Sequence, residues 1–388
     1  MSYGLWLLAC VAAFYIVLGY PALLAMAKGR RRPPVAKNLN FEPRVSVLMA
    51  VYNGATQLSR KLDILSKLDY PAHLLEIIVI SDGSTDDTDI IAKTYHGRNV
   101  TLIRVPKGGK AAALNSGMAA ASGDILFFTD VRQPLDRSAL RHLVANLADP
   151  TVGAVTGELK LLSGDQGEQA DMDLYWRYEI WARTRQSEID SIFNTTGCIY
   201  AMRRELAAAI PEDTLTDDAV LPLRAYFKGY RVIFDPAAIA YDYPAVAGTE
   251  FRRRFRTLAG LWQVFARFPK LFTSANRMRW HFLSHKFSRL ALPWVILLAI
   301  GSSIAMPASP FRTSLLLLES VPLALAAMNA AIPRGWAAKR ITSPARTFVV
   351  MNMASLSAVA VFFISPAKIW KPTQVEPGAA GSAKSKRW

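Results

Sequence analysis

Between residues 44 and 131, short apolar runs alternate with segments of helical period. RVSVLMAVYN (44–53) is a β-rich run closed by Asn-Gly, and TQLSRKLDILSKL (56–68) follows with Leu58, Leu62, Leu65 and Leu68 at helical spacing. LEIIVISD (75–82) reads as the next strand, and a helix is expected from about Asp86 to Tyr95. VTLIRV (100–105), GKAAALNSGMAAA (109–121) and DILFFTDV (124–131) continue as strand, helix and strand. Continuous β-rich runs alternating with helices predict an α/β fold, a parallel sheet covered on both faces. Such sheets bind ligands beyond the C-terminal ends of their strands. That places Tyr52, Asp82 and Asp130 on one rim, because each ends a strand.

Apolar runs of a second kind flank this region. Residues 3–26 carry no charge, and ~20 helical residues at ~1.5 Å each cross a hydrocarbon layer of ~30 Å. The charges come after the run, in KGRRRPP, which reads as an uncleaved anchor with its N-terminus outside and a cytoplasmic domain following. Three more runs lie at 290–307, 313–332 and 347–365. The connection with Arg334, Lys339, Arg340 and Arg346 reads as cytoplasmic, and the tail after Ile369, with Lys371, Lys384, Lys386 and Arg387, is equally basic. If the last run spans, those two basic segments face opposite sides; the alternatives are a re-entrant or interfacial run, or a tail that breaks the charge rule. In 249–289, Phe251, Phe255, Trp262, Phe265, Phe268 and Phe272 interleave with Arg252, Arg253, Arg254, Arg256, Arg267 and Lys270, the pattern of interfacial helices. The expected organisation is an N-terminal transmembrane helix at 1–27, a cytoplasmic domain at 40–248 and amphipathic helices at 249–289. C-terminal transmembrane segments at 290–366 and a polar basic tail at 367–388 complete it.

Composition agrees with a membrane protein. The 388 residues are 52% hydrophobic, with mean hydropathy +0.17 and a formal charge of +16. A chain both apolar and basic suits cytoplasmic Lys/Arg at a bilayer better than nucleic-acid binding, so no nucleic-acid partner is expected. Its two cysteines, Cys10 and Cys198, are far apart and give no disulfide framework.

The polar residues at the predicted rim carry the chemistry. In VISDGSTDDT (79–88) a calcium loop starting at Asp82 would need Gly and Glu where Asp87 and Lys93 stand. Ser84 or Thr85 can cap a helix whose first turn holds Asp86 and Asp87, so those acids read as structural. Asp82 precedes the turn and is placed to accept N–H groups of a ligand. Lys110, in KGGKAAALNSG, opens a helix and adds a cation to an anion-favouring terminus. The stretch is not a Walker A loop, because its first Gly is absent and Ala111 replaces Ser/Thr. Asp130 follows an apolar run, where a charge needs a ligand to explain it. TLTDDAVLPLRAYFKGY (214–230) reads either as a capped buried helix or as a carboxylate site. HFLSH (281–285) sets two histidines one turn apart, compatible with metal binding or, without a local acid, with interfacial packing.

As an ordered series, VYNG, SDGSTDDT, GGKAAALN, FFTDVR, TGCIYAMRRE, TDDAVL and RRRFRTLAGLWQ resemble the family 2 glycosyltransferases of the GT-A fold. Most similar are the membrane-integrated cellulose, chitin, hyaluronan and poly-N-acetylglucosamine synthases. The resemblance covers about 44–273 and implies a Rossmann-like nucleotide-sugar domain inserted between transmembrane helices. It implies that Tyr52 and Asp82 hold the base, that Lys110 contacts the donor phosphates, and that Asp130 binds the diphosphate and its Mg²⁺ or Mn²⁺. By the same resemblance Asp218 is the catalytic base, Arg253 and Arg256 cradle the diphosphate and shape the acceptor mouth, and Gly197 lies at the acceptor end or donor sugar.

Two departures stand out. The second Asp of Asp-x-Asp is Arg132, whose guanidinium could neutralise diphosphate charge unless another acid completes the metal shell. The Trp that seats the acceptor in processive synthases is Thr257. The expected activity is inverting transfer from a UDP-sugar to a glycan or lipid-linked acceptor for extracellular polysaccharide, at a bacterial inner membrane, with an accessory synthase subunit as an expected partner. A polyprenyl-phosphate monosaccharide transferase and an inactive scaffold of a synthase complex are the alternatives.

Overall fold

The computed structural model describes residues 1–27, 32–161, 169–242, 250–333 and 336–369. The chain divides into a sheet unit (31–162, 183–246 and 365–388) and a helical unit (1–30, 163–182 and 247–364).

The sheet unit holds β1 (Val45–Val51), β2 (Leu75–Asp82), β3 (Val100–Val105), β4 (Ile125–Phe128), β5 (Val152–Leu161), β6 (Tyr200–Arg203) and β7 (Arg231–Asp242). Their order is β3-β2-β1-β4-β6-β5-β7. β1 pairs in parallel with both β2 and β4, and β2 with β3, as the alternation of strand and helix predicts. Nearly every position of β1 and β2 is buried, because helices cover both faces. Helices α1 (Ala55–Leu65), α2 (Thr88–Thr94), α3 (Lys110–Ala120), α4 (Ala139–Asn146) and α5 (Asp217–Phe227) belong to the same unit.

The sheet is not parallel throughout. β6 runs antiparallel between β4 and β5, with Phe128 opposite Tyr200, and their rings stack at 4.4 Å. Because β6 runs the other way, the residues that lead into it, Gly197 and Cys198, lie at the same end of the sheet as Asp130, which follows β4. The mixed sheet thus brings a loop from late in the chain onto the rim that the parallel strands built.

Among the described residues of the helical unit, four helices are long and apolar enough to cross a membrane: Ser2–Met26, Arg279–Ile304, Pro310–Met328 and Lys339–Phe362. Leu7, Leu8, Leu317 and Leu318 are exposed on their surfaces, as lipid-facing residues would be. The second helix begins at Arg279, ahead of the apolar run, so HFLSH is continuous with it. His285 packs against the Tyr20 ring at 5.7 Å, and His281 Nδ1 is 3.2 Å from the Tyr20 hydroxyl. The acid missing from the local sequence comes from Glu179, in the helix Gln169–Ile189. Lys286 donates to its Oε1 at 2.7 Å and Arg289 to its Oε2 at 3.2 Å, with His285 Nε2 at 3.5 Å. Both histidines pack against Tyr20, and among the described residues no group of three or more His, Cys, Asp or Glu could hold a metal. Phe265, on the helix Glu250–Arg267, meets Phe272 and Phe282 edge-on at 6.0 and 5.1 Å. The basic residues at 28–31, Arg334 and the tail from 370 onward lie outside the described residues.

Candidate active site

At the end of β2 the chain turns through Gly83, whose φ is +65° and where an added Cβ would lie 2.9 Å from the Lys107 amide nitrogen. Glycine suits both the left-handed backbone and the close approach. The approach lets the 107–109 loop fold over Asp82. Gly108 N–H donates to Asp82 Oδ1 at 2.7 Å, Gly109 N–H to the same oxygen at 3.0 Å, and Lys107 Nζ to Oδ2 at 2.9 Å. Asp82 is consequently 3% exposed. Lys107 Nζ also sits 3.1 Å above the centre of the Tyr52 ring, a cation–π contact. The two residues expected at the base are thus joined through a third, Lys107.

Helix α2 starts later than expected, at Thr88, so Asp86 and Asp87 precede it instead of filling its first turn, and Ser84 and Thr85 bond to the 51–53 turn instead of capping it. Asp86 accepts from Thr88 N–H at 3.1 Å and, across the turn, from Ala55 N–H at 3.0 Å, serving the first turns of α2 and α1. Asp87 occupies the N-cap position of α2 without a side-chain cap bond.

A second cluster lies beyond β4. Lys110, the first residue of α3, places Nζ 3.0 Å from Asp130 Oδ1 and 3.4 Å from Asp217 Oδ1. Burial works against its charge, but Asp130 and Asp217 outweigh burial and raise its pKa above the ordinary lysine value. Asp217 and Asp218 open α5; Thr216 holds the N-cap position, yet its hydroxyl makes no cap bond. The Asp218 carbonyl accepts from the Thr195 amide at 2.8 Å and hydroxyl at 2.7 Å, which fixes the start of the helix against the loop leading to Gly197. An added Cβ on Gly197 would lie 3.4 Å from Asp218 Oδ2. The Tyr200 hydroxyl is 3.4 Å from Asp217 Oδ2. Burial, and next the charge of Asp217, push the Asp218 carboxyl up to about 7 against the opposing pull of Lys110 and Arg183. A carboxylate in that range suits proton acceptance near neutral pH.

The structure therefore brings Lys110, Asp130, Asp218 and Gly197 together through Asp217, and Tyr52 and Asp82 through Lys107. Arg253 and Arg256 lie one turn apart on the helix Glu250–Arg267 of the helical unit, both half-buried. Arg132 is turned inward, donating to Asp242 Oδ2 at 2.8 Å, and Gln133 Nε2 donates to the same oxygen at 3.2 Å. Arg132 is thus committed to a nearly buried carboxylate at the end of β7. Asp130, by contrast, is half-exposed. Magnesium-type ions bind through one or two carboxylates plus substrate phosphates, and a single open carboxylate fits that donor set.

Sequence reasoning missed Lys107, Asp217, Asp242 and Lys61. Lys61 had a visible signal: it shares the stripe of Leu58, Leu62 and Leu65 on α1, a charge on a core-facing position.

The description "Glycosyl transferase family 2" matches residues 46–210. The chain is 29% identical over 269 residues to "Probable glycosyltransferase YdaM" of Bacillus subtilis, covering 64% of this chain and 63% of that protein's length. It is 25% identical over 283 residues to poly-beta-1,6-N-acetyl-D-glucosamine synthase of Staphylococcus aureus, covering 68% of each. Among solved structures, mannosyltransferase PcManGT of Pyrobaculum calidifontis, in complex with GDP-Man and Mn²⁺, superposes with a TM-score of 0.75 at 25% identity. That match covers 94% of this chain and 99% of that one. The motif series, the mixed seven-stranded sheet and the carboxylate–lysine rim meet in one assignment: the segment 46–210 is a glycosyltransferase domain of family 2, on a GT-A-like fold.

Proposed function

We propose that this chain is an inverting, membrane-bound glycosyltransferase. It moves a hexosyl or N-acetylhexosaminyl group from a nucleotide-sugar to a glycan or lipid-linked acceptor, in the synthesis of an extracellular polysaccharide. The observation that carries the reading is Asp218, a half-buried carboxylate with its pKa raised toward neutrality, set beside Gly197 and linked through Asp217 to Lys110 and Asp130.

In the reaction an acceptor hydroxyl oxygen attacks the anomeric carbon while the bond from that carbon to the diphosphate oxygen breaks. The bonding electron pair leaves with the nucleoside diphosphate, and the hydroxyl proton passes to an Asp218 carboxylate oxygen. A positioned base of this kind contributes ~10²–10⁴-fold. Lys110 offers an ammonium to the departing negative charge, and the exposed Tyr52 ring offers a face to the nucleobase, while Asp82 acts from beneath by holding the 107–109 loop through Gly108, Gly109 and Lys107. A bound Mg²⁺ or Mn²⁺ would neutralise diphosphate charge, with Asp130 as its protein ligand. By resemblance, Arg253 and Arg256 contribute to diphosphate binding and the acceptor mouth. Thr257, in place of an acceptor-seating Trp, weakens the case for a long polymer product.

A UDP-sugar is the first expectation for the donor. A GDP-sugar is the second reading, favoured by the likeness to the mannosyltransferase solved with GDP-Man. Four apolar helices among the described residues support residence in a bilayer; the proposed setting is a bacterial inner membrane with the catalytic domain on its cytoplasmic side and an accessory synthase subunit as a partner.

The test is turnover of a panel of UDP-, GDP- and TDP-sugars by purified protein in nanodiscs, with and without Mg²⁺ or Mn²⁺. Lipid and oligosaccharide acceptors are supplied. Turnover of one donor supports the reading. No turnover of any donor overturns it in favour of a scaffold role.

A further inference from the structure

Lys61 is 1% exposed, among the apolar side chains of α1. Its Nζ donates to Thr129 Oγ1 at 2.8 Å and to the Gln133 carbonyl at 2.5 Å. One ammonium thus grips both ends of the turn 129–133, and Asp130 lies inside that turn. Thr129 Oγ1 in turn donates to the Cys198 carbonyl at 3.0 Å, so the same charge is tied to the segment carrying Gly197, beside Asp218.

Core packing does not call for this charge. Burying an ammonium is costly, and an apolar side chain of similar length would fill the same stem space without the desolvation penalty. Burial holds the Lys61 pKa down to about 7, a mark of that penalty. A destabilising charge held at this point, with two hydrogen bonds to the turn that carries Asp130, marks a role in placing the rim.

We propose that Lys61 is a positioning residue for sugar transfer, fixing the Asp130 turn and the Gly197–Cys198 segment against each other from beneath the rim. The proposal rests on the glycosyltransferase reading above for its link to catalysis. Its structural half, the anchoring of two segments, stands without that reading.

Lys61→Met and Thr129→Val in the full chain, in nanodiscs, test it through three readouts: the thermal midpoint, amide exchange at 129–133 and 196–199, and donor turnover with kcat separated from KM. Lys61→Met is expected to keep or raise the midpoint, speed exchange at both segments, and lower kcat by about 10- to 100-fold with a smaller change in donor KM. A merely structural lysine would lower the midpoint and leave kcat of the folded fraction alone. Thr129→Val keeps the Gln133 contact and is expected to speed exchange mainly at 196–199; it also serves if Lys61→Met does not fold. Wild-type exchange at both segments in the variants, or wild-type kcat, overturns the proposal. If the wild type turns over no donor while Lys61→Met still speeds exchange at both segments, the transferase reading fails and the anchoring holds.

Discussion

Gly197 leaves open one side of the Asp218 carboxylate: a Cβ there would sit 3.4 Å from Oδ2, ordinary contact rather than a clash. Gly197→Ala is therefore expected to fold with an unchanged thermal midpoint. The added methyl shields the carboxylate from water and from an incoming hydroxyl. Turnover should fall by about 10-fold and the acidic limb of the pH–rate profile should move upward, since shielding disfavours the charged form. A fall in midpoint with an unmoved pH profile would show that Gly197 serves the backbone instead.

Asp218 sets opposite trends in rate and stability. As a base it must be ionised, so kcat/KM should rise with pH and level off above about 7. Folding raises this pKa, so the folded chain holds the proton more tightly than the unfolded one. The stabilising contribution is full below the unfolded value of ~4 and is lost as pH climbs through the folded value. Asp218→Asn should cut transfer by ~10²–10⁴-fold while sparing nucleotide binding. Its midpoint should match or exceed wild type above neutral pH, measured by thermal unfolding from pH 5 to 9.

The Arg132–Asp242 pair predicts that restoring the familiar motif is not benign. Arg132→Ala removes the positive charge facing a buried carboxylate, leaving it the neutral Gln133 amide, and should cost about 3 kcal/mol. Arg132→Asp places a second acid against Asp242 and should be less stable still, without lowering the Mn²⁺ concentration needed for turnover. Urea unfolding and a metal titration of activity check both parts.

Glu179 predicts a corresponding loss in the helical unit. Glu179→Gln removes the charge that faces Lys286 and Arg289 and should destabilise by about 3 kcal/mol, the scale for breaking a buried pair. Glu179→Gln combined with Lys286→Met should recover part of it, read by thermal unfolding in nanodiscs.

Much of the sheet was readable because β1, β2, β3 and β4 are continuous apolar runs separated by helical periods. β6 was not, since YAMR lies in a stretch read as a ligand motif and nothing local says that it runs antiparallel. Tyr52, Asp82, Asp130 and Lys110 were placed at the rim by strand ends and a helix start. Their partners were hidden for a common reason. Lys107 for Asp82, Asp242 for Arg132 and Glu179 for His285 are all long-range in sequence, so only the fold pairs them. Lys61 is the exception, since its position on a leucine stripe was legible and its meaning was not.

The loop 107–110 carries two cations that reach carboxylates on different strands: Lys107 to Asp82 at the end of β2, and Lys110 to Asp130 after β4, with β1 lying between. The rim is therefore braced sideways by charge, across strands that have no backbone bonds to one another. Such a brace responds to ionic strength. Its Lys107 end, with the side chain 44% exposed, loosens first in salt, while the Lys110 end, at 28%, holds longer.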